Sequence, residues 1–378
     1  MNRASKFRII FAASVLLIAA VTVLVREHRP SFLRPGLRLY AYVSTGDNAV
    51  SVVDLVKLAT VAHVPIGGPI SAMREHPTRA EVWGVSSSGG FAWALDSRTS
   101  QIVARIPVGA LPYSLDFSPG GARIYIPASG SNTLSVIDCA SRQIVGHTAT
   151  GVQPVAARVS SDGKLVLVLN KKDKTVGVHD AATLQLRAVI PVVPDPEDAA
   201  ILPDNSVAFV LSRTQKRLSV VDLRKGLLLT NLELAGIPSQ MILKPDGGEL
   251  YVLSPESHGV QAINTWTHEV GDYVELGSAP TRGVLLPDTG QMYVSDSGAN
   301  TVLGVDMNYR RLIRPIVQAG RVPGALRFDP GDKARLLLVV SQASGDLSVI
   351  RVTSDRPSGL LTMIPVGDQP RELAVKLF

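Results

Sequence analysis

Apolar residues along this chain fall in short runs rather than at helical spacing. Between Pro112 and Gly151 there are four such runs, PYSLDF, RIYIPA, TLSVID and QIVGHTATG. They are separated by SPGG, SGSN and CASR, clusters of Gly, Pro, Ser and Asn that favour tight turns. Short runs rich in β-branched residues between turn formers predict strands, and four in succession predict an antiparallel meander. The meander recurs. IYIPASGSNTLSVID (Ile124–Asp138) returns as MYVSDSGANTVLGVD (Met292–Asp306). The closing acid or amide falls at Asp54, Asp96, Asp138, Asp180, Asp222, Asn264 and Asp306, always 42 residues apart. An eighth copy, GDLSVIRV, places Arg351 there after a step of 45.

A fixed period near 40 is the signature of stacked repeats. One four-stranded meander this apolar cannot bury both of its faces, but a radial set can, each packing on its neighbours. A linear solenoid would need polar capping repeats, and none is visible. Proline-led runs begin near Pro69, Pro112, Pro154, Pro196, Pro238, Pro280, Pro323 and Pro370. The expected fold is therefore all-β, an eight-bladed β-propeller of four-stranded antiparallel blades, with seven blades as the alternative. The chain opens inside a unit at LRLYAYVST and ends on an unpaired run, PRELAVKLF. Pairing the strand at Arg371–Phe378 with three strands between Leu37 and Pro65 would close the ring and remove an exposed edge. An acid that recurs once per blade is expected to satisfy the backbone of the following turn, not to catalyse.

LYAYVSTGDNAVSVVD, IYIPASGSNTLSVID, LYVLSPESHGVQAIN and MYVSDSGANTVLGVD, each followed by VPIGG, ATGVQP or ELGSAP, resemble the YVTN family of β-propeller repeats. The resemblance covers residues 38–378 and implies the fold. Proteins similar to this family include surface-layer and periplasmic propellers without an assigned reaction, and more distant lactonase and quinoprotein relatives. It therefore implies no single chemistry.

Composition changes the picture mainly at the N-terminus. Hydrophobic residues make up 46% of the chain and charged ones 19%, which suits a large core and not disorder. The single cysteine, Cys139, excludes an internal disulfide framework and a multi-cysteine zinc site, and reads as a small core filler. The net charge of +6 is concentrated in the first 35 residues, which hold six basic residues against Glu27 alone. The remainder is nearly neutral and has no basic stripe, so nucleic acid is not an expected partner. Residues 1–8 form a basic tip, 9–25 an uncharged apolar run long enough to span a membrane, and 26–36 a Pro-containing tether. The run ends without small residues suited to cleavage, which favours a signal-anchor over a cleaved signal. The expected arrangement is a single-pass, monomeric protein with residues 37–378 as a propeller in the periplasm or outside the cell. Secretion after cleavage is the alternative.

The residues following each leading proline should line the mouth of the central channel: Ser71, Tyr113, Val155, Glu197, Ser239, Thr281, Gly324 and Arg371. One step further in lie Ser114, Asp198, Gln240, Arg282 and Glu372. Polar groups converging on a concave mouth make a binding site, and Tyr113, Glu197, Asp198, Gln240, Arg282, Arg371 and Glu372 are the expected ligand-binding set. The alternative is that they only pair with one another, Arg282 with Glu197 or Asp198. The seven histidines show no ligand spacing, and His63, His147 and His268 are placed on outer strands of different blades, so no metal is expected. Covalent haem, hydrolase-elbow, P-loop and dinucleotide motifs are missing.

The expected function is accordingly that of an extracytoplasmic, membrane-tethered scaffold. It would bind an unknown small molecule or a cell-envelope protein, without catalysis or cofactor. The alternatives are a lactonase-like hydrolase, with acid and base drawn from Glu197, Asp198, Arg282 and Glu372, or a cofactor-binding propeller of the quinoprotein or haem-d1 type. The last would usually bring a Trp or His to the axis, whereas Trp83 and Trp93 fall in strands of one blade and Trp266 in a turn.

Overall fold

A computed structural model describes residues 37–286, 289–330, 335–352 and 359–378. The expected basic tip, signal-anchor helix and tether lie outside the described residues. Among the described residues no helix is long and apolar enough to cross a membrane.

The strands assemble into eight four-stranded antiparallel sheets. Blade 1 joins the last strand, Leu373–Leu377, to Leu39–Ser44, Ala49–Asp54 and Ala59–Pro65, and blades 2 to 8 follow in chain order. The ring is closed by the two ends of the repeat region, as the unpaired sequence fragments require. Leu373–Leu377 pairs with the first strand from Val43↔Leu373 to Leu39↔Leu377. Backbone bonds from Arg371 and Phe378 to the carbonyls of Ser44 and Arg38 extend the closure at both ends.

Each hydrophobic cluster draws on two adjacent blades, which is why no blade is stable alone. Tyr251, Val260 and Val274 of blade 6 pack on Met292, Val294 and Leu303 of blade 7. The third residue of the second strand is a buried aromatic in five blades: Trp83, Tyr125, Phe209, Tyr251 and Tyr293. Where they carry a polar tip it is satisfied, Trp83 donating to Glu81 at 2.9 Å and Tyr125 to the Ala181 carbonyl of the next blade at 2.9 Å. The recurring acids do one structural task throughout. Asp54 Oδ1 accepts the N–H groups of Val56 and Lys57, both at 2.9 Å, and Asp96, Asp138, Asp180, Asp222, Asn264 and Asp306 repeat the arrangement. In the opposite turns Asn48, Asn132 and Asn300 take φ values of 64, 53 and 58°, a region that asparagine tolerates better than most residues.

The inner strand of blade 3 departs from expectation. PYSLDF yields a regular strand only at Asp116–Phe117, with an isolated bridge from Pro112 to Ala128. Pro112 has no N–H to give the ladder. Ser114 and Asp116 use their side chains across the blade boundary instead, accepting from Ala157 N at 3.3 Å and Val159 N at 2.9 Å.

His76 joins three blades at the end of the ring away from the channel mouth. Its Nε2 donates to Gly121 O at 2.8 Å, and its Nδ1 accepts from Thr78 N and Arg79 N at 3.2 and 3.0 Å. Its own carbonyl receives Lys376 Nζ from the closing strand. The imidazole is buried and uses Nδ1 as an acceptor, so the structure holds it neutral. Burial drives its pKa below the ordinary value, against the opposing pull of Gly121 O. The unfolded chain therefore takes up the proton first. The stability His76 contributes is whole above about pH 6.5 and is withdrawn as pH falls from there through the depressed folded-state value. His76→Ala should cost about 3 kcal/mol at pH 7.5, three hydrogen bonds at about 1 kcal/mol each. It should also melt with a shallower dependence on pH between 7 and 5 than the parent; equal slopes would remove the role given to the ring.

Candidate functional site

At the end of the channel where the inner strands begin lies a cavity of about 980 Å³, lined by residues from all eight blades. The loops that shape it are tightly constrained. Leu111, Gln153, Asp195, Val322 and Gln369, each immediately before a leading proline, have φ between 46 and 60°. None is glycine, so each position is strained and must be held by its surroundings. Asn132 and Asn300 supply part of that hold, accepting Gln153 N and Val322 N at 2.8 Å each.

All seven residues of the expected binding set, Tyr113, Glu197, Asp198, Gln240, Arg282, Arg371 and Glu372, line this cavity. Ser239 and Thr281 do not: their hydroxyls bond within their own blades, to Leu253 O and Ser295 O, both at 3.3 Å. Gln240 is spent on architecture. Its Oε1 accepts Gly283 N at 2.7 Å and its Nε2 donates to Gly283 O at 3.1 Å, which ties blade 6 to blade 7.

The sequence reading missed the cations Arg74, Arg158, Lys171, Arg213 and Arg327, all of which line the cavity. They divide the ring into two unlike halves. On blades 2 to 5 the charges are paired. Arg74 Nη1 lies 3.0 Å from Asp116, Arg158 Nη2 2.5 Å from Asp198, and Glu197 takes Lys171 Nζ at 2.8 Å and Arg213 Nε at 3.5 Å. The anticipated pairing of Arg282 with Glu197 or Asp198 therefore does not form. On blades 7, 8 and 1 the cations stand alone among the described residues. Arg282 makes one long contact, Nη1 to Ser239 O at 3.5 Å, and the side chains of Arg327 and Arg371 have no hydrogen bond or ion pair.

Electrostatics follow this division except at Arg74, which burial pushes down despite its pair with Asp116. Arg158 is pushed up despite burial, because Asp198 and Asp116 stabilise its charge. Arg282 is pushed down by burial and by the neighbouring charges of Arg213 and Arg327, with Glu372 and Asp198 opposing. A guanidinium does not deprotonate in a protein, so Arg282 keeps its charge and the shift expresses the cost of burying it beside other cations. Among the described residues Glu372 is the channel carboxylate without an ion pair. Burial raises its pKa, while Arg282, Arg327, Arg74 and Arg213 pull it back. An acid–base pair drawn from Glu197 and Asp198 gains nothing from the geometry, since both are held by cations.

Candidate chemistry elsewhere is weaker. No group of three or more His, Cys, Asp or Glu able to hold a metal exists among the described residues. His63 is on an outer strand, bonded to Ser51 and Asp47. His268 is not on a strand as expected but in the turn after Asn264, at φ 58°, edge-on to Phe209. Trp83 and Trp93 are buried between blades, and Trp266 is 67% exposed, so none reaches the channel. Cys139 is buried and its thiol pushed up to about 12, chiefly by that burial, which leaves it inert filler.

A family model described as the Cytochrome D1 heme domain matches residues 81–231. No curated protein matches the chain. Among solved structures the chain is similar to the dihydro-heme d1 dehydrogenase NirN in complex with DHE, with a TM-score of 0.74 and 18% identity over 91% of this chain and 76% of that one. It is also similar to the Kuenenia stuttgartiensis hydrazine synthase, with a TM-score of 0.59 and 19% identity over 76% of this chain and 96% of that one. A functionally unknown protein from Desulfotomaculum acetoxidans DSM 771 gives 0.57 and 13% over 73% and 94%. Likenesses at these identities establish the β-propeller fold. The family match takes in Asp116, Arg158, Glu197 and Asp198 of the paired side, and Arg74, Arg282, Arg327, Arg371 and Glu372 lie outside it.

Proposed function

We propose that this propeller binds an anionic cofactor or metabolite bearing several carboxylates in its central channel, a tetrapyrrole of the haem d1 class. The observation that carries this reading is the convergence of three unpaired guanidinium groups, Arg282, Arg327 and Arg371, on one side of a 980 Å³ cavity. Uncompensated cations in a partly buried site are costly unless an anion completes them. Guanidinium suits carboxylate through two parallel hydrogen bonds. The family model and the NirN likeness support the same class, and they favour a cofactor-binding propeller over a binding scaffold without a cofactor.

The residues fit the periphery of such a group better than its metal. Among the described residues no histidine or cysteine lines the cavity. The ring carboxylates, held by Arg282, Arg327 and Arg371, would therefore carry the binding, with Tyr113 exposed at the rim on blade 3. The bound group would supply redox chemistry at its own ring and metal. The protein's part is to orient it and partly exclude water, while the pairs on blades 2 to 5 offer no free charge to compete for it.

Titrating the purified protein with coproporphyrin, a tetracarboxylate, should give a saturable shift of the main porphyrin absorption band. A cationic porphyrin of similar size should give little. Equal responses, or no saturable shift with the tetracarboxylate, would overturn the reading.

A further inference from the structure

We infer that Glu372 is a specificity-determining residue of this channel, which takes up one proton when an anion binds and so sets which total charge the site retains. The inference rests on the anion-binding reading above. Glu372 is placed by the ring-closing strand, and its backbone N–H is fixed on Ser44 Oγ at 2.9 Å. Its carboxylate lines the cavity without a hydrogen bond or ion pair, unlike Asp116, Asp198 and Glu197.

The charged groups that act on it most strongly are cations. Arg282 comes from blade 7, Arg327 from blade 8 and Arg74 from blade 2, the two blades flanking the closing strand being 8 and 2. Arg213 reaches in from blade 5, and Arg371 precedes it on its own strand. The first strand, which pairs with the closing strand, contributes only the Ser44 hydroxyl here. When ionised, Glu372 is thus an internal anion sharing the guanidinium groups that a ligand needs. When protonated, it frees them and can donate a hydrogen bond to the incoming anion. The proton moves from solvent to the carboxylate, and nothing else changes.

Burial already displaces the group toward its neutral form, so the exchange occurs above the ordinary glutamic acid range. An incoming anion raises its proton affinity further, and linkage then requires tighter anion binding as pH falls through that interval. Among the described residues no histidine lines the cavity, and its other carboxylates are engaged by cations, so a proton taken up there on binding belongs to Glu372.

The test uses copper phthalocyanine tetrasulfonate, whose charge is constant between pH 5 and 8. Its affinity for the parent protein should rise about tenfold from pH 8 to pH 5. Calorimetry in two buffers of different ionisation enthalpy should show proton uptake on binding. Glu372→Gln should bind at pH 8 as the parent does near pH 5, with its pH slope gone, and Glu372→Asp should keep the slope. Binding by the parent that is independent of pH, or a slope that survives in Glu372→Gln, would overturn this inference and leave the anion site standing. If Glu372→Gln does not fold, absence of proton uptake in the parent is sufficient to reject it. Failure of the parent to bind the dye at any pH would reject the anion site itself.

Discussion

A chain ending at Pro370 should lose most of its stability. The missing residues are the inner strand of blade 1, and Leu373, Ala374 and Val375 are all buried. Their removal leaves one edge of Leu39–Ser44 without its ladder, since Leu373–Leu377 pairs with it over five positions. Stacking of Phe378 on Tyr40, with ring centres 5.7 Å apart, disappears as well. Leucine and valine burial with several backbone bonds amounts to about 5 kcal/mol or more, a large part of the margin of most domains. The thermal midpoint should fall by about 10 °C or more, or the chain should not fold, as circular dichroism would show. A truncated chain that melts like the full one would mean that the ring does not depend on this closure.

That closure was legible in the sequence because two orphan fragments completed one repeat. The period of 42 residues is carried by turn chemistry, Asp at the end of the third strand and Asn in the turn before it, and turns tolerate little drift. The channel was legible only at its rim. Reading the first two residues after each proline found the expected set but stopped short of Arg74, Asp116, Arg158 and Arg327. These share one register further along the inner strand, opposite Trp83, Tyr125, Leu167 and Leu338. Repeat alignment could have named that layer. It could not have said which cation is paired, because pairing depends on side chains meeting across blades: Arg158 reaches Asp198 forty residues away, and Arg282 reaches no acid. Nor could it show that Gln240, equivalent in position to Arg282, is consumed by the neighbouring backbone.

Arg327→Glu combined with Arg371→Glu should weaken a tetracarboxylate ligand at least a hundredfold. Each charge-assisted bond to a carboxylate is worth about 1.5–3 kcal/mol, and reversal adds repulsion to the loss. Neither side chain has a partner in the fold, so the melting curve should barely move. Arg158→Glu should behave in the opposite manner, lowering the melting temperature by stranding Asp198 beside a second carboxylate. Fluorescence titration of the porphyrin alongside melts of both variants checks both expectations. Undiminished binding by the double variant would mean that the unpaired side of the channel is not the anion site.

The seam of the ring also sets a schedule for biosynthesis. Glu372 and Ser44, bonded to each other beside Arg371, are 328 residues apart in the chain. Blades 2 to 5, with their internally neutralised charges, can be completed while synthesis continues. The cationic side needs Arg282, Arg327 and Arg371, and the last of these is translated long after the first strand has waited, unpaired, for its neighbour. Contacts of such long sequence separation form slowly. On the proposed anion-binding reading, a ligand present during translation would meet no complete site on the growing chain, and loading would be an event of the finished ring.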